Sequence, residues 1–166
     1  MSTLTCPSGS IHYFVVEWDP ATLAWSKFRG ELLGPTDPAS APKDSIRGQI
    51  YSKWSDLGLA TEPNTGDNGK QAFSFSLKDF STIGVHASAS PFEALAEKIN
   101  WLEIKPEDDP FGAYLLASGL SADTLMAWTK DPVVPLDADN KGSLFDALED
   151  SDVPQCAAKI SDLAKL

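Results

Sequence analysis

The residues best suited to chemistry are His86 and Ser88, in the stretch 84–91, and Glu97, which follows the histidine by eleven positions. An imidazole can take up a phosphoryl group as a nucleophile, and it can transfer a proton near neutral pH. A nearby carboxylate can fix the imidazole tautomer and a hydroxyl can bond the transferred group. The pattern indicates a catalytic centre; the alternative is a histidine with a hydrogen-bonded structural role.

A strand and a helix must position these residues. The apolar run at residues 80–86 predicts a strand, and Ser90-Pro91 begins a helical pattern of apolar residues. The members of this pattern are Phe92, Leu95, Ile99 and Leu102. His86 is therefore expected where a strand ends and a helix starts, a place where backbone N–H groups can bind an anion.

Two upstream segments carry groups that suit phosphate. A turn-rich segment at residues 33–39 contains the hydroxyl of Thr36, and residues 45–48 contain the guanidinium of Arg47. A guanidinium can bind phosphate oxygens through two parallel hydrogen bonds. The presence of these two groups upstream favours the functional interpretation of His86.

The three segments together resemble the nucleoside diphosphate kinase family. The matching motifs, in the family's order, are G-P-T-D-P at residues 34–38, I-R-G at 46–48 and H-A-S-A-S at 86–90. The resemblance extends over about residues 8–107, which correspond to the C-terminal half of the family's domain.

The resemblance implies a role for each candidate residue. His86 is similar to the phosphorylated histidine, Ser88 to a serine that bonds the phosphoryl group, and Glu97 to the glutamate that orients the imidazole. Thr36 and Arg47 are similar to residues that hold nucleotide phosphates. Mg²⁺ bound with the nucleotide is the implied cofactor.

The chain also departs from the family. Nothing before residue 8 resembles the family's first strand and helices, which carry a lysine, a tyrosine and a base-stacking phenylalanine. Gly30 stands in place of a phosphate-binding arginine, with Arg29 one residue out of register. Ile83 replaces an asparagine that contacts the ribose, and Ala89 replaces an aspartate. We therefore expect weak binding of nucleoside di- and triphosphates.

Composition restricts the partners and the compartment. Thirteen basic and twenty-four acidic residues give a formal net charge of −11, which disfavours nucleic acid and anionic membranes as partners. No segment has the pattern of a signal peptide or a membrane span. Cys6 and Cys156 lack metal-ligand spacing, so we expect free thiols, no metal site in the protein itself and a cytoplasmic location.

Apolar spacing and turn residues predict the other elements. These are a strand at residues 11–18, a helix at 21–33, a proline-rich loop at 35–43, a helical or extended segment at 46–54, a helix at 114–128 broken near Gly119, and short helices at 143–149 and 153–164. The acidic run at 137–142 has a lysine at a ligand position of a calcium loop, and Leu148 stands where a glutamate should be, so we interpret the run as a turn.

The predicted fold class is α+β: a small, mostly antiparallel sheet covered by helices, similar to the later half of a ferredoxin-like domain. Residues 1–107 are expected to form a partial nucleoside diphosphate kinase-like domain, with a β-hairpin inserted near residues 55–78. Residues 108–166 are expected to be a helical extension packed on it. Because exposed sheet edges tend to pair, we expect a homo-oligomer or a partner chain that completes the sheet.

Three functions follow from these residues. The first is a degenerate nucleoside diphosphate kinase-like phosphotransferase that works through a phosphohistidine at His86. The second is a repurposed enzyme in which His86 and Glu97 act as general acid and base on a small metabolite. The third is a non-catalytic interaction domain that keeps only the remnant of the fold.

Overall fold

The computed structural model describes residues 12–53, 56, 75–76, 82–83, 85–137 and 139–165. The chain divides into two compact units, Met1–Ala87 and Ser88–Leu166. Each unit combines helices with a short antiparallel strand pair. The chain is therefore of mixed helix and strand composition, as the predicted α+β class requires. The boundary predicted after residue 107 falls inside the second unit.

The predicted first strand is wrong for its described residues. Residues 12–18 lie outside any helix or strand, and four of their large apolar side chains are more than half exposed. These are Tyr13, Phe14, Val15 and Val16. A strand is stable only when a neighbouring strand accepts its backbone hydrogen bonds, and no described strand pairs with this segment. An apolar, β-branched run predicts the tendency to form a strand but not the presence of the partner.

The first helix begins later than predicted. Helix α1 spans Trp25–Lys27 and continues into a π-helical segment at Phe28–Leu33, whereas the prediction began at residue 21. Asp19 explains the delay, because its side chain accepts from the backbone N–H of Ala21 and its carbonyl accepts from Thr22, both at 2.9 Å. Such a local turn competes with the helix for the same backbone groups.

An aromatic cluster covers the start of this helix. The ring centroids of Trp18 and Trp25 lie 5.0 Å apart at a tilt of 49°, and Trp18 stacks on Phe28 at 4.6 Å. The indole N–H of Trp18 donates a 2.8 Å hydrogen bond to the carbonyl of Leu23. The cluster packs the segment before α1 against the aromatic side chains of the helix.

A proline-rich loop connects this helix to α2, as predicted. The loop contains one 3-10 turn at Pro38–Ser40, capped by the side chain of Asp37. Helix α2 spans Ile46–Lys53. Its Gly48 packs so closely on the carbonyl of Pro42 that a Cβ atom would overlap it, which fixes the angle at which the loop enters the helix.

Among the described residues of the first unit, one short strand pair precedes the candidate histidine. Strand β1 (Phe75–Ser76) pairs antiparallel with β2 (Thr82–Ile83), with Phe75 opposite Ile83. Most of the β-hairpin insertion predicted near residues 55–78 lies outside the described residues, including residues 61–70. The strand predicted at residues 80–86 is shorter than expected, because residues 85–88 have no regular structure.

The second unit contains five helices and one strand pair among its described residues. The helices are α3 (Pro91–Leu102), α4 (Pro110–Ala117), α5 (Ala122–Trp128), α6 (Leu144–Leu148) and α7 (Val153–Leu163), with a 3-10 turn at Pro106–Asp108 before α4. The predicted break near Gly119 is confirmed, since α4 and α5 are separate helices and Gly119 has a φ of 99°. The two predicted C-terminal helices are confirmed with bounds shifted by one residue.

A hairpin that the sequence analysis did not predict follows α5. Strand β3 (Val133–Pro135) pairs antiparallel with β4 (Lys141–Ser143). The acidic run between them is the predicted turn. The carboxylate of Asp137 accepts from the backbone N–H groups of Asp139 and Asn140 at 2.9 Å each, so this side chain closes the turn.

The hydrophobic core of the second unit is formed by its helices and β3. Its largest fully buried side chains are Phe92, Leu95, Leu125, Leu144, Leu148 and Ile160. Two of them come from the apolar stripe that the sequence predicts for α3. In the part of the chain that the structure describes, no helix has the length and apolar character needed to cross a bilayer.

Candidate functional site

Helix α3 positions the carboxylate of the candidate site. Ser90 caps the helix, because its hydroxyl accepts a 3.2 Å hydrogen bond from the N–H of Glu93, and Pro91 suits the first helical position. Phe92 and Leu95 are fully buried, which sets the rotation of the helix about its axis. Glu93 and Glu97 are half-buried and lie one turn apart, so they share a face.

Both carboxylates reach back to the segment before the helix. The hydroxyl of Ser88 donates a 2.5 Å hydrogen bond to Glu97, and the backbone N–H of Ala89 donates a 2.5 Å hydrogen bond to Glu93. The carbonyl of Ala89 in turn accepts from the N–H of Asp150 at 2.9 Å. The residues that follow His86 in the chain are therefore held in one conformation by hydrogen bonds within the second unit.

His86 is the penultimate residue of the first unit. Its side chain is exposed and lies outside β2, in the irregular segment that begins at Val85. An exposed imidazole is open to a phosphoryl donor or a substrate. The orientation of the imidazole by Glu97, which the family resemblance implies, stays a prediction.

Arg47 is 7 % exposed and is held by backbone carbonyls. Its two terminal nitrogens, Nη1 and Nη2, donate to the carbonyl of Gly34 at 2.7 Å and to the carbonyl of Val85 at 2.9 Å. Burial lowers the pKa of Arg47, and the positive charge of Arg29 lowers it further. Arg47 thus joins the loop that carries Thr36, whose side chain is exposed, to the residue before His86.

The structure therefore places the five predicted residues in two groups, one in each unit. Ser88 bonds Glu97 in the second unit, and Arg47 joins the loop of Thr36 to the segment of His86 in the first. Sequence analysis missed Glu93 as a support of the segment after His86. The S-x-x-E pattern formed by Ser90 and Glu93 is the signal that could have identified it, because a glutamate at this helical position reaches back to a backbone N–H.

A separate apolar groove of about 310 Å³ lies in the second unit. Its lining residues are Pro110, Phe111, Tyr114 and Val153. None of the five predicted site residues lines this groove, so it is not part of the candidate site.

Comparison of the chain with protein-family models, with curated proteins and with solved structures found no match.

Proposed function

We propose that this protein is a degenerate phosphotransferase of the nucleoside diphosphate kinase type, which works through a phosphohistidine at His86. The observation that carries the proposal is the 2.5 Å hydrogen bond from Ser88 to Glu97. It joins two of the residues that the family resemblance assigns to the histidine site, and it lies directly after an exposed imidazole. A carboxylate held at this place in the chain suits the stabilisation of a cationic or phosphorylated imidazole.

The proposed reaction has two steps. An unprotonated ring nitrogen of His86 attacks the terminal phosphorus of a nucleoside triphosphate, and the bond between that phosphorus and the bridging oxygen breaks. The bonding electron pair leaves with the diphosphate. The hydroxyl or phosphate oxygen of an acceptor then takes the phosphoryl group from the histidine, which regenerates the free imidazole.

Ser88 has a more specific part in this proposal than the sequence alone suggested. A hydroxyl has one proton, and in the structure that proton is donated to Glu97. To bond the phosphoryl group, the hydroxyl must rotate away from the carboxylate. We therefore propose that Ser88 exchanges Glu97 for a phosphoryl oxygen when His86 is phosphorylated.

The substrate in this proposal is a magnesium nucleotide. Arg29 lies close enough to lower the pKa of Arg47, so two positive charges are neighbours in a chain with a net charge of −11. A local positive charge of this kind favours the approach of a phosphate group through the field of the pair, without a contact between that group and Arg47. The replacement of the ribose-binding asparagine by Ile83 removes a neutral hydrogen bond worth about 0.5–1.5 kcal/mol, so we expect nucleotide binding up to about tenfold weaker than in the family.

Labelling with radioactive MgATP tests the proposal. We expect an acid-labile, base-stable label on the wild-type protein and no label on His86→Gln. The chain has a second histidine, His12, which is exposed and serves as the matched control, so His12→Gln should label like the wild type. Glu97→Gln should slow labelling by about tenfold or more.

Each other outcome has a definite meaning. Absence of label on the wild type, or persistence of label on His86→Gln, refutes the phosphohistidine. If a native activity is found that lacks a labelled intermediate but is lost in His86→Gln, acid–base catalysis on a small metabolite replaces the phosphotransferase. A native function that His86→Gln leaves intact favours the interaction domain.

The proposal extends to fold, assembly and location. We propose a ferredoxin-like arrangement whose sheet is completed by a second copy or by a partner chain, in the cytoplasm. The support is the exposed apolar segment at Tyr13, Phe14, Val15 and Val16, which has the composition of a strand and no strand pairing. Sedimentation equilibrium of the pure protein tests self-association, and a monomer across the micromolar range excludes the second copy as the partner.

A further inference from the structure

We infer that Arg47 acts as a positioning residue for His86 and does not bind phosphate. The effect of Arg47 on catalysis that we infer rests on the proposed phosphotransferase function of the protein. The role departs from the family resemblance, which assigns Arg47 to nucleotide phosphates, and it follows from the two carbonyls that the guanidinium bonds.

The bond to Val85 acts directly on the peptide that carries His86. The carbonyl of Val85 and the N–H of His86 belong to one planar peptide group. When Nη2 of Arg47 holds that carbonyl at 2.9 Å, it fixes the plane from which the Cα atom of His86 projects. The orientation of the imidazole then depends only on the rotations within residue 86.

The segment of His86 requires such support. Strand β2 ends at Ile83, and residues 85–88 have no regular structure. The backbone ladder that fixes a strand therefore does not extend to His86 in the described residues. The bond from Arg47 reaches across 38 positions of the chain to this segment.

The other end of the guanidinium is firmly held. Nη1 bonds the carbonyl of Gly34 at 2.7 Å, and Gly34 has a φ of 95°, a conformation that favours glycine. A Cβ atom at Gly34 would lie 2.7 Å from Oγ of Ser45 and 3.2 Å from Cβ of Arg47. The loop backbone is thus packed against the start of α2, and the planar guanidinium spans a fixed distance between two carbonyls.

A role in phosphate binding requires a different placement. A phosphate ligand must direct its N–H groups toward a site that the nucleotide can enter. Arg47 is 7 % exposed and directs a hydrogen bond from each terminal nitrogen to a carbonyl. These bonds use two of the five N–H groups of the guanidinium, and the burial of the side chain keeps the remaining N–H groups from a surface that a nucleotide can enter.

The test measures the rate of His86 labelling as a function of MgATP concentration in Arg47→Lys and Arg47→Ala. A lysine keeps the charge but cannot span both carbonyls. Positioning predicts that both variants lower the maximal labelling rate by about 10–100-fold, while the half-saturating MgATP concentration stays within about twofold of the wild type. If Arg47 binds phosphate, the opposite pattern is expected. Arg47→Ala then raises the half-saturating MgATP concentration by about tenfold or more, and Arg47→Lys returns this concentration most of the way to the wild-type value. That pattern overturns the inference.

A matched control variant and a second measurement distinguish a loss of positioning from a loss of folding and from a failure of the proposed function. Lys53→Ala removes an exposed positive charge from the same helix and should leave the labelling rate unchanged. The backbone amide of His86, observed by ¹⁵N relaxation, should become more mobile in Arg47→Lys but not in Lys53→Ala. If the wild type takes no label, the proposed function fails; an unchanged His86 amide in a folded Arg47→Lys refutes the positioning role in either case.

Discussion

Asp109 shows how one buried carboxylate can organise the start of a helix. It is 3 % exposed, and its Oδ1 accepts from the backbone N–H groups of Phe111 and Gly112 at 2.9 and 3.0 Å. Its Oδ2 pairs with the ammonium of Lys98 on α3. The side chain therefore satisfies two N–H groups at the start of α4 that lack helical partners, and it connects two helices of the core.

We expect Asp109→Ala to lower the free energy of unfolding by about 2–4 kcal/mol, because it leaves two N–H groups and one ammonium without their acceptor. Asp109→Asn keeps an oxygen for the N–H groups and loses the ion pair, so it should cost about half as much. Urea denaturation measures both. The neighbouring Asp108 is exposed, and a loss in Asp108→Ala as large as that in Asp109→Ala contradicts the assigned role.

Cys156 should be inert in the folded protein. Its side chain is fully buried, and burial raises the pKa of the thiol to about 11. At pH 8 only about one thiol in a thousand is ionised, so we expect a disulfide reagent to modify Cys156 at the rate of unfolding. The measurement uses Cys6→Ser, which leaves Cys156 as the sole thiol. Immediate reaction of the folded variant contradicts the burial.

The same thiol makes stability depend on pH. Its pKa is raised above the ordinary value of 9.0, so the unfolded state releases the proton first as the pH rises. The free energy of unfolding should therefore be unaffected by this group below about pH 9 and should fall toward about pH 11. Urea denaturation at these pH values, compared between wild type and Cys156→Ala, isolates the contribution, and parallel curves for the two proteins exclude it.

Among the elements, those determined by local signals were predictable from the sequence. Helix α3 has a capping serine, a proline in the first turn and an apolar stripe with helical spacing, and its start was predicted correctly. The strand at residues 11–18 depends on a partner strand elsewhere in the chain or in another chain, which local spacing cannot reveal. Hairpin β3–β4 contains Pro135, a residue that argues against a strand, although proline is accepted at an edge.

The hydrogen bonds of the candidate site also differ in whether the sequence could predict them. The bond between Ser88 and Glu97 joins residues nine apart on a loop and the helix that follows it, and the family resemblance predicted that both residues belong to one site. The bonds from Arg47 to Gly34 and Val85 depend on how α2 packs against two distant segments. A sequence shows that an arginine is present, but it does not show which carbonyls surround it.

The glycines of the first unit offer a test of how closely α2 packs. A Cβ atom at Gly48 overlaps the carbonyl of Pro42, whereas one at Gly30 meets nothing within 4 Å. Gly48→Ala should therefore destabilise the first unit by more than about 2 kcal/mol, although alanine favours helices. Gly30→Ala should stabilise it by about 0.5–1 kcal/mol. Thermal denaturation of the two variants should shift in opposite directions, and a shared direction contradicts the packing described here.

At the scale of the whole molecule, the buried apolar side chains of the described residues are unevenly distributed. The core cluster lies entirely within residues 88–166, whereas Leu33 and Pro38 are the buried aliphatic side chains among the described residues of the first unit. Hydrophobic burial is the largest favourable contribution to folding. The second unit therefore contains a hydrophobic core of its own, and the described part of the first unit contains the hydrogen bonds of the buried Arg47 side chain.

We expect a fragment of residues 88–166 to fold on its own with a free energy of unfolding of about 3–5 kcal/mol, which is typical of a single small core. Circular dichroism of the fragment should show a helical protein with a cooperative urea transition. A fragment that is unfolded in buffer contradicts this expectation. The intact chain should then show two transitions, since units with separate cores need not unfold together.

The pair of indoles in the first unit provides an optical signal of its own. Trp18 and Trp25 have centroids 5.0 Å apart and planes tilted by 49°, so their electronic transitions couple and absorb as two bands of opposite circular dichroism sign. This exciton couplet vanishes when the rings separate. Because both rings precede Ala87, the couplet reports on the first unit alone, in the unlabelled protein, and its loss during denaturation can be followed against the helical signal of the second.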